Sequence, residues 1–108
     1  MRKIESQMVE SITSGKNRNL GNTRITGAPK GIRRVYLFNN LIAEIDIALN
    51  FVTVYTFVKS NTTKSRLNAI LRTFELPTIY QSQFSWRYTD GRLCDTDREF
   101  SDINGYGK

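Results

Sequence analysis

Histidine is absent from this 108-residue chain. That removes the commonest general base and the commonest side-chain metal ligand. It also removes the Ser/His and Cys/His pairs behind most nucleophilic catalysis. The one cysteine, Cys94, cannot form an internal disulfide or a thiolate zinc cluster. It fits a reducing compartment and reads as a small buried hydrophobe. No apolar run approaches the ~18 residues that a membrane span needs. The amino terminus sets Arg2 and Lys3 before Glu5 with no continuous apolar stretch, unlike a secretory signal. Acids are scarce, with 10 Asp and Glu against 16 Lys and Arg, for a net charge of +6. Such an excess favours polyanionic partners.

What remains is enough to fold. Hydrophobic residues make up 39% and aromatics 11% of the chain, so a single domain over 1–108 with one modest core is expected. The clearest element runs over 62–74. Leu67, Ile70, Leu71 and Phe74 fall at i, i+3, i+4 and i+7, one face of a helix. Asn61, Thr62 and Thr63 offer capping oxygens, and Pro77 ends the run. The other face carries Lys64, Arg66, Asn68 and Arg72 without an acid, so it is expected to show positive charge outward. A second helix is expected over 2–14, where Ile4, Met8 and Ile12 recur, closed by Gly15.

Between them the pattern is that of strands. A short strand is expected from Thr23 to Thr26, and a turn at Gly27–Gly31. Arg33 to Asn39 alternates Val35 and Leu37 with Tyr36 and Phe38, and Asn39-Asn40 suits a tight turn. Leu41 to Ile47 follows, with Leu41, Ala43, Ile45 and Ile47 inward and Ile42, Glu44 and Asp46 on the other face. Phe51 to Val58 is β-branched and aromatic, as a central strand would be. Ile79 to Thr89 reads as one long strand with Tyr80, Phe84, Trp86 and Tyr88 along a face. Asp90-Gly91 then turns the chain into Arg92-Leu93-Cys94. The acidic tail ends in a glycine-rich segment expected to be poorly ordered. The fold class that follows is α+β: an antiparallel meander of about five to six strands with two packed helices.

The candidate chemistry is sparse. From Lys16 to Arg34 there are six bases and no acid, either a solvated loop or a phosphate-gripping arm. Gly15-Lys16 and Gly107-Lys108 lack the P-loop spacing. Asp95-Thr96-Asp97-Arg98-Glu99 has calcium-loop spacing, but Phe100 stands where the loop needs glycine. Those acids with Glu44 and Asp46 are the only evident donors for a metal-dependent nuclease. No cofactor, no metal and no catalytic residue is expected. The row Tyr80, Phe84, Trp86, Tyr88 is either core or a platform on which bases stack. Tyr36 and Phe38 form a second such row.

Ile4-Glu5-Ser6-Gln7-Met8, the strand pair Val35 to Ile45, the helix Asn61 to Leu71, and Phe84-Ser85-Trp86 resemble a group of small tailed-bacteriophage proteins. The resemblance carries no activity and no site residues. It implies the cytoplasm of an infected bacterium, and either handling of phage nucleic acid or blockade of a host factor. A weaker similarity, in architecture only, links the strands and following helix to positive-cofactor-four-like single-stranded DNA-binding domains. The hairpin after the helix departs from that pattern, and architecture alone does not transfer function.

Two readings follow. The first is a non-enzymatic nucleic-acid-binding protein, for single-stranded DNA. Lys16, Arg18, Arg33, Arg34, Lys64 and Arg66 would meet phosphates, and Trp86 or Tyr88 would stack on bases. The alternative is an anti-CRISPR or other anti-defence protein that binds a host protein through aromatic and arginine contacts at Trp86, Tyr88, Arg87 and Tyr36. Neither involves a membrane. Exposed strand edges make homo-oligomers plausible.

Overall fold

The computed structural model describes residues 2–27, 31–56, 59–101 and 103. The first helix, α1 (Lys3–Ser14), forms where the periodicity predicts it. Met8 and Ile12 are buried, and Gly15 closes it at φ 78° with its N–H on Ser11 O. Five strands follow: β1 (Arg18–Leu20), β2 (Thr23–Gly27), β3 (Ile32–Leu37), β4 (Asn40–Asp46) and β5 (Phe51–Val54). They pair in sequence as an antiparallel meander. Helix α2 (Asn61–Thr73) comes next, then β6 (Ile79–Ser82), β7 (Ser85–Tyr88) and β8 (Arg98–Ser101). The β8 strand returns to pair with β5, giving the order β1-β2-β3-β4-β5-β8, while β6 and β7 make a separate hairpin. The α+β class, with two helices and an antiparallel sheet of six strands, is what the sequence predicts; the separate two-stranded sheet is not.

Cross-strand register sorts the side chains into two faces. Thr23, Ile25, Val35, Leu37, Ala43, Ile45, Val52, Val54 and Phe100 share one face, and all are buried. Met8 and Ile12 of α1, with Leu67, Ile70, Leu71 and Phe74 of α2, complete the core there. Ile79, Trp86 and Tyr88 of the hairpin join the same core. The other face carries Arg24 and Tyr36, then Arg34 and Glu44, then Phe51 and Thr53. No described helix or hairpin covers it.

Several expectations are corrected. Ile79–Thr89 is a hairpin, not one strand: Gln83 and Phe84 turn the chain at φ 49° and 66°. Neither residue has turn chemistry. The β3–β4 turn falls on Phe38 and Asn39 (φ 49° and 65°), one residue early, so Phe38 leaves the row with Tyr36. A register shift between Val35 and Tyr36 places Leu41 opposite Tyr36 and buries Ile42. Asp46 is buried, where its carboxylate accepts the Leu49 N–H at 2.9 Å. Ser60, not Asn61 to Thr63, caps α2, accepting the Thr63 N–H at 3.1 Å.

Glu75, not Pro77, closes α2. It takes φ 58°, and the Leu76 and Glu75 N–H groups reach Leu71 O and Arg72 O, a Schellman closure. Strands β1 and β8 lie in stretches without strand alternation, the basic loop and the acidic tail. The predicted central strand ends at Val54. Its further course through 57–58, residues 28–30 of the Gly27–Gly31 turn, and the tail at 104–108 lie outside the described residues.

Candidate functional site

Three of the residues expected at a nucleic-acid surface are structural. Tyr88 is fully buried and meets Phe100 edge to face, ring centroids 5.6 Å apart, with Arg98 over its ring at 4.6 Å. Alternation along β7 sends Trp86 and Tyr88 into the core. Burial pushes the Tyr88 phenol well above its usual range, with the neighbouring Cys94 thiol adding to the rise. Burial likewise raises the Cys94 thiol. Arg66 is buried between the helices. Its guanidinium meets the Glu5 carboxylate at 2.8 Å and donates to Thr23 Oγ1 at 3.1 Å. Asn68 is also buried, bonding both the N–H and the C=O of Ile79. The polar side of α2 is therefore partly enclosed by α1 and the hairpin, contrary to the outward-facing charge expected for it. Arg33 donates to Ile12 O at 3.2 Å and so satisfies the end of α1, where a cation also suits the helix dipole.

The remaining cations do not converge. Lys16 is exposed, and Arg18 lies 3.7 Å from Glu10 on the helix side of the sheet. Arg34 lies on the opposite face, 2.8 Å from Glu44, which raises its pKa through the hydrogen bond and its charge. Lys64 is half-buried on α2. Arg24, which the sequence reading did not single out as a site residue, lies over the Tyr36 ring at 4.7 Å.

A cleft of about 560 Å³ opens where α2 begins. Lys59, Ser60 and Asn61 form one side; Gln81, Phe84, Ser85 and Trp86 of the hairpin form the other; Leu93 and Asp95 close the end. Phe84 is 98% exposed at the hairpin tip, whereas Trp86 is only 7% exposed. A two-residue turn with positive φ at both positions is normally Asn-Gly or Asp-Gly. A bulky aromatic there is unfavourable in conformation and in hydration alike. The first N–H groups of α2 have no intrahelical acceptor, that of Thr63 being met by Ser60 Oγ, and its first turn carries no acid. Lys59 adds a positive charge and Asp95 a negative one. Of the predicted aromatic row, Phe84 and Trp86 reach this cleft, and Tyr80 and Tyr88 do not line it. Sequence reading had no means of finding Lys59, Ser60 or Leu93, because the hairpin that brings them together was read as one strand.

Among the described residues no three acids or thiols converge as a metal site, and no helix is long and apolar enough to cross a membrane.

Fold and cleft together define a small α+β domain with an open sheet on one side and a helix-bounded aromatic cleft on the other. The family described as Kyanoviridae Gp96 protein matches residues 1–106. The chain belongs to this family of phage proteins. No curated protein and no solved structure matches it.

Proposed function

We propose that this phage protein is a non-enzymatic binder of single-stranded nucleic acid, and that the cleft at the start of α2 is its base-binding site. The observation that supports this reading is Phe84: an aromatic side chain held in solvent by a strained turn, with Trp86 in the same cleft wall. A base stacked on Phe84 gains ~1–3 kcal/mol, and the free N–H groups of α2 with Lys59 suit the adjoining phosphate. Lys64 lies one turn along the same helix. Lys16 and Arg18 do not line the cleft. Tyr88, Arg66 and Arg33 have no part in it, being committed to the core and to α1. Such a protein would act in the cytoplasm of the infected host.

Fluorescence anisotropy of a labelled 12-mer oligo-dT tests this. Binding is expected to weaken with salt at a log–log slope of about −0.7 per phosphate contact. Phe84→Ala should weaken it by ~1–3 kcal/mol. Salt-independent binding, or a Phe84→Ala protein that binds as the parent does, contradicts the reading.

One observation favours a second reading. Phe84 and Leu93 are both exposed on the cleft rim and Tyr80 is exposed on β6 of the same hairpin, which also suits a host protein's side chain, as an anti-defence inhibitor would need. Capture of one stoichiometric host protein in high salt, lost in Phe84→Ala, would support it over the first.

A further inference from the structure

One acid stands in a cleft otherwise suited to a polyanion. Asp95 lines it together with Lys59, Phe84 and Trp86, and among the described residues no other acid does. Other acids of the chain are engaged elsewhere. Glu5 holds Arg66 and Asp90 holds Arg98, while Asp46 and Asp97 accept the backbone N–H groups of Leu49 and Thr56. Asp95 is exposed and has no such partner among the described residues. The ion pairs among those residues involve neither Lys59 nor Asp95. A carboxylate repels phosphate, so Asp95 adds nothing to backbone affinity. What it can do is accept hydrogen bonds from N–H donors, through two oxygens set side by side.

We infer that Asp95 selects guanine at this cleft, which rests on the single-stranded nucleic-acid reading above. Lys59 and the start of α2 form one side of the cleft, and Asp95 stands at its end. A nucleotide is divided in the same way, with an anionic phosphate at one end and base N–H donors at the other. Phe84 accepts any base, because every base has a π-face. An unpaired base also presents its Watson–Crick edge, and there the bases differ. Guanine alone offers two adjacent donors, N1–H and the N2 amine, which the two carboxylate oxygens meet as a fork. Adenine and cytosine set an amine beside a ring-nitrogen acceptor. Thymine and uracil set N3–H between two carbonyl oxygens. In each of these a lone pair faces the carboxylate and one oxygen goes unmatched. The cleft volume of about 560 Å³ lies within the ~300–1,000 Å³ of small-ligand sites and leaves room for a nucleotide.

Competition against labelled oligo-dT, followed by anisotropy, tests this. The competitors are alternating 12-mers of dT-dG, dT-deoxyinosine and dC-dA. Deoxyinosine stacks as guanine does and lacks only the N2 amine, so it isolates the second donor. Half the registers of the dT-dG strand put guanine in the cleft, so a preference of about fivefold at the site reads as about threefold overall. The dT-dG strand is expected to compete better than both others by about that factor or more. Asp95→Asn should level the three while binding oligo-dT at least as tightly as the parent, since a negative charge has gone; that binding also shows it to be folded. Equal competition by dT-dG and dT-deoxyinosine, with oligo-dT bound, overturns the guanine inference and leaves the single-strand reading standing. A guanine preference kept by Asp95→Asn does the same. Failure of the parent to bind any of these strands overturns both.

Discussion

At the scale of single residues, the Glu5–Arg66 pair is the strongest commitment in the molecule. Both side chains are about 5% exposed or less, Ser65 Oγ donates to the same carboxylate, and Thr23 holds the guanidinium. Removing one partner strands a buried charge, so Glu5→Ala should destabilise by ~3–5 kcal/mol in urea denaturation. Glu5→Leu combined with Arg66→Met should recover most of that, since the buried site then needs no counter-charge. Tyr88 gives a pH prediction. The folded state holds its proton more tightly than the unfolded chain does. The stability this contributes is intact below about pH 10, the unfolded phenol value, and is lost as pH rises toward the higher folded value. Denaturant midpoints at pH 8 and pH 11 should fall less in Tyr88→Phe than in the parent. That substitution is also expected to be near neutral at pH 8, because among the described residues the buried hydroxyl faces only the weakly bonding Cys94 thiol, so little is lost with it.

At the scale of elements, the β6–β7 turn separates stability from binding. Replacing Gln83-Phe84 by Asn-Gly supplies residues that accept positive φ and removes an exposed ring. Stability should rise by about 1 kcal/mol while oligo-dT binding weakens by ~1–3 kcal/mol, read from urea denaturation and anisotropy on the same protein. Loss of stability would mean that Phe84 supports the fold.

This turn also marks the limit of sequence reading. Both helices were legible because each has an apolar stripe with clear ends, as Ile4-Met8-Ile12 before Gly15 shows. The meander was legible in its alternation. The Gln83-Phe84 turn was not, since its residues have strand propensity, and so the cleft was not legible either. Arg66 gave no sign of burial because its counter-charge lies 61 positions away. Strand β8 is set by pairing with β5 across a long connection, which local pattern does not encode.

At the scale of the whole molecule, one side of the sheet is closed by helices and hairpin, and the other is open. The proposed nucleic-acid site lies at the cleft bounded by α2 and the β6–β7 hairpin.

The central claim is that a base stacks in the cleft. Trp86 is the chain's sole tryptophan and lines that cleft, so it reports directly. Titration with unlabelled oligo-dT at 50 and 200 mM salt (about the range over which phosphate contacts are lost), following Trp86 emission, is the decisive measurement. The account predicts saturable quenching at low salt that weakens at high salt and that needs ~10-fold or more oligo-dT in Phe84→Ala. Binding by anisotropy with unchanged Trp86 emission would place the nucleic acid elsewhere and contradict it.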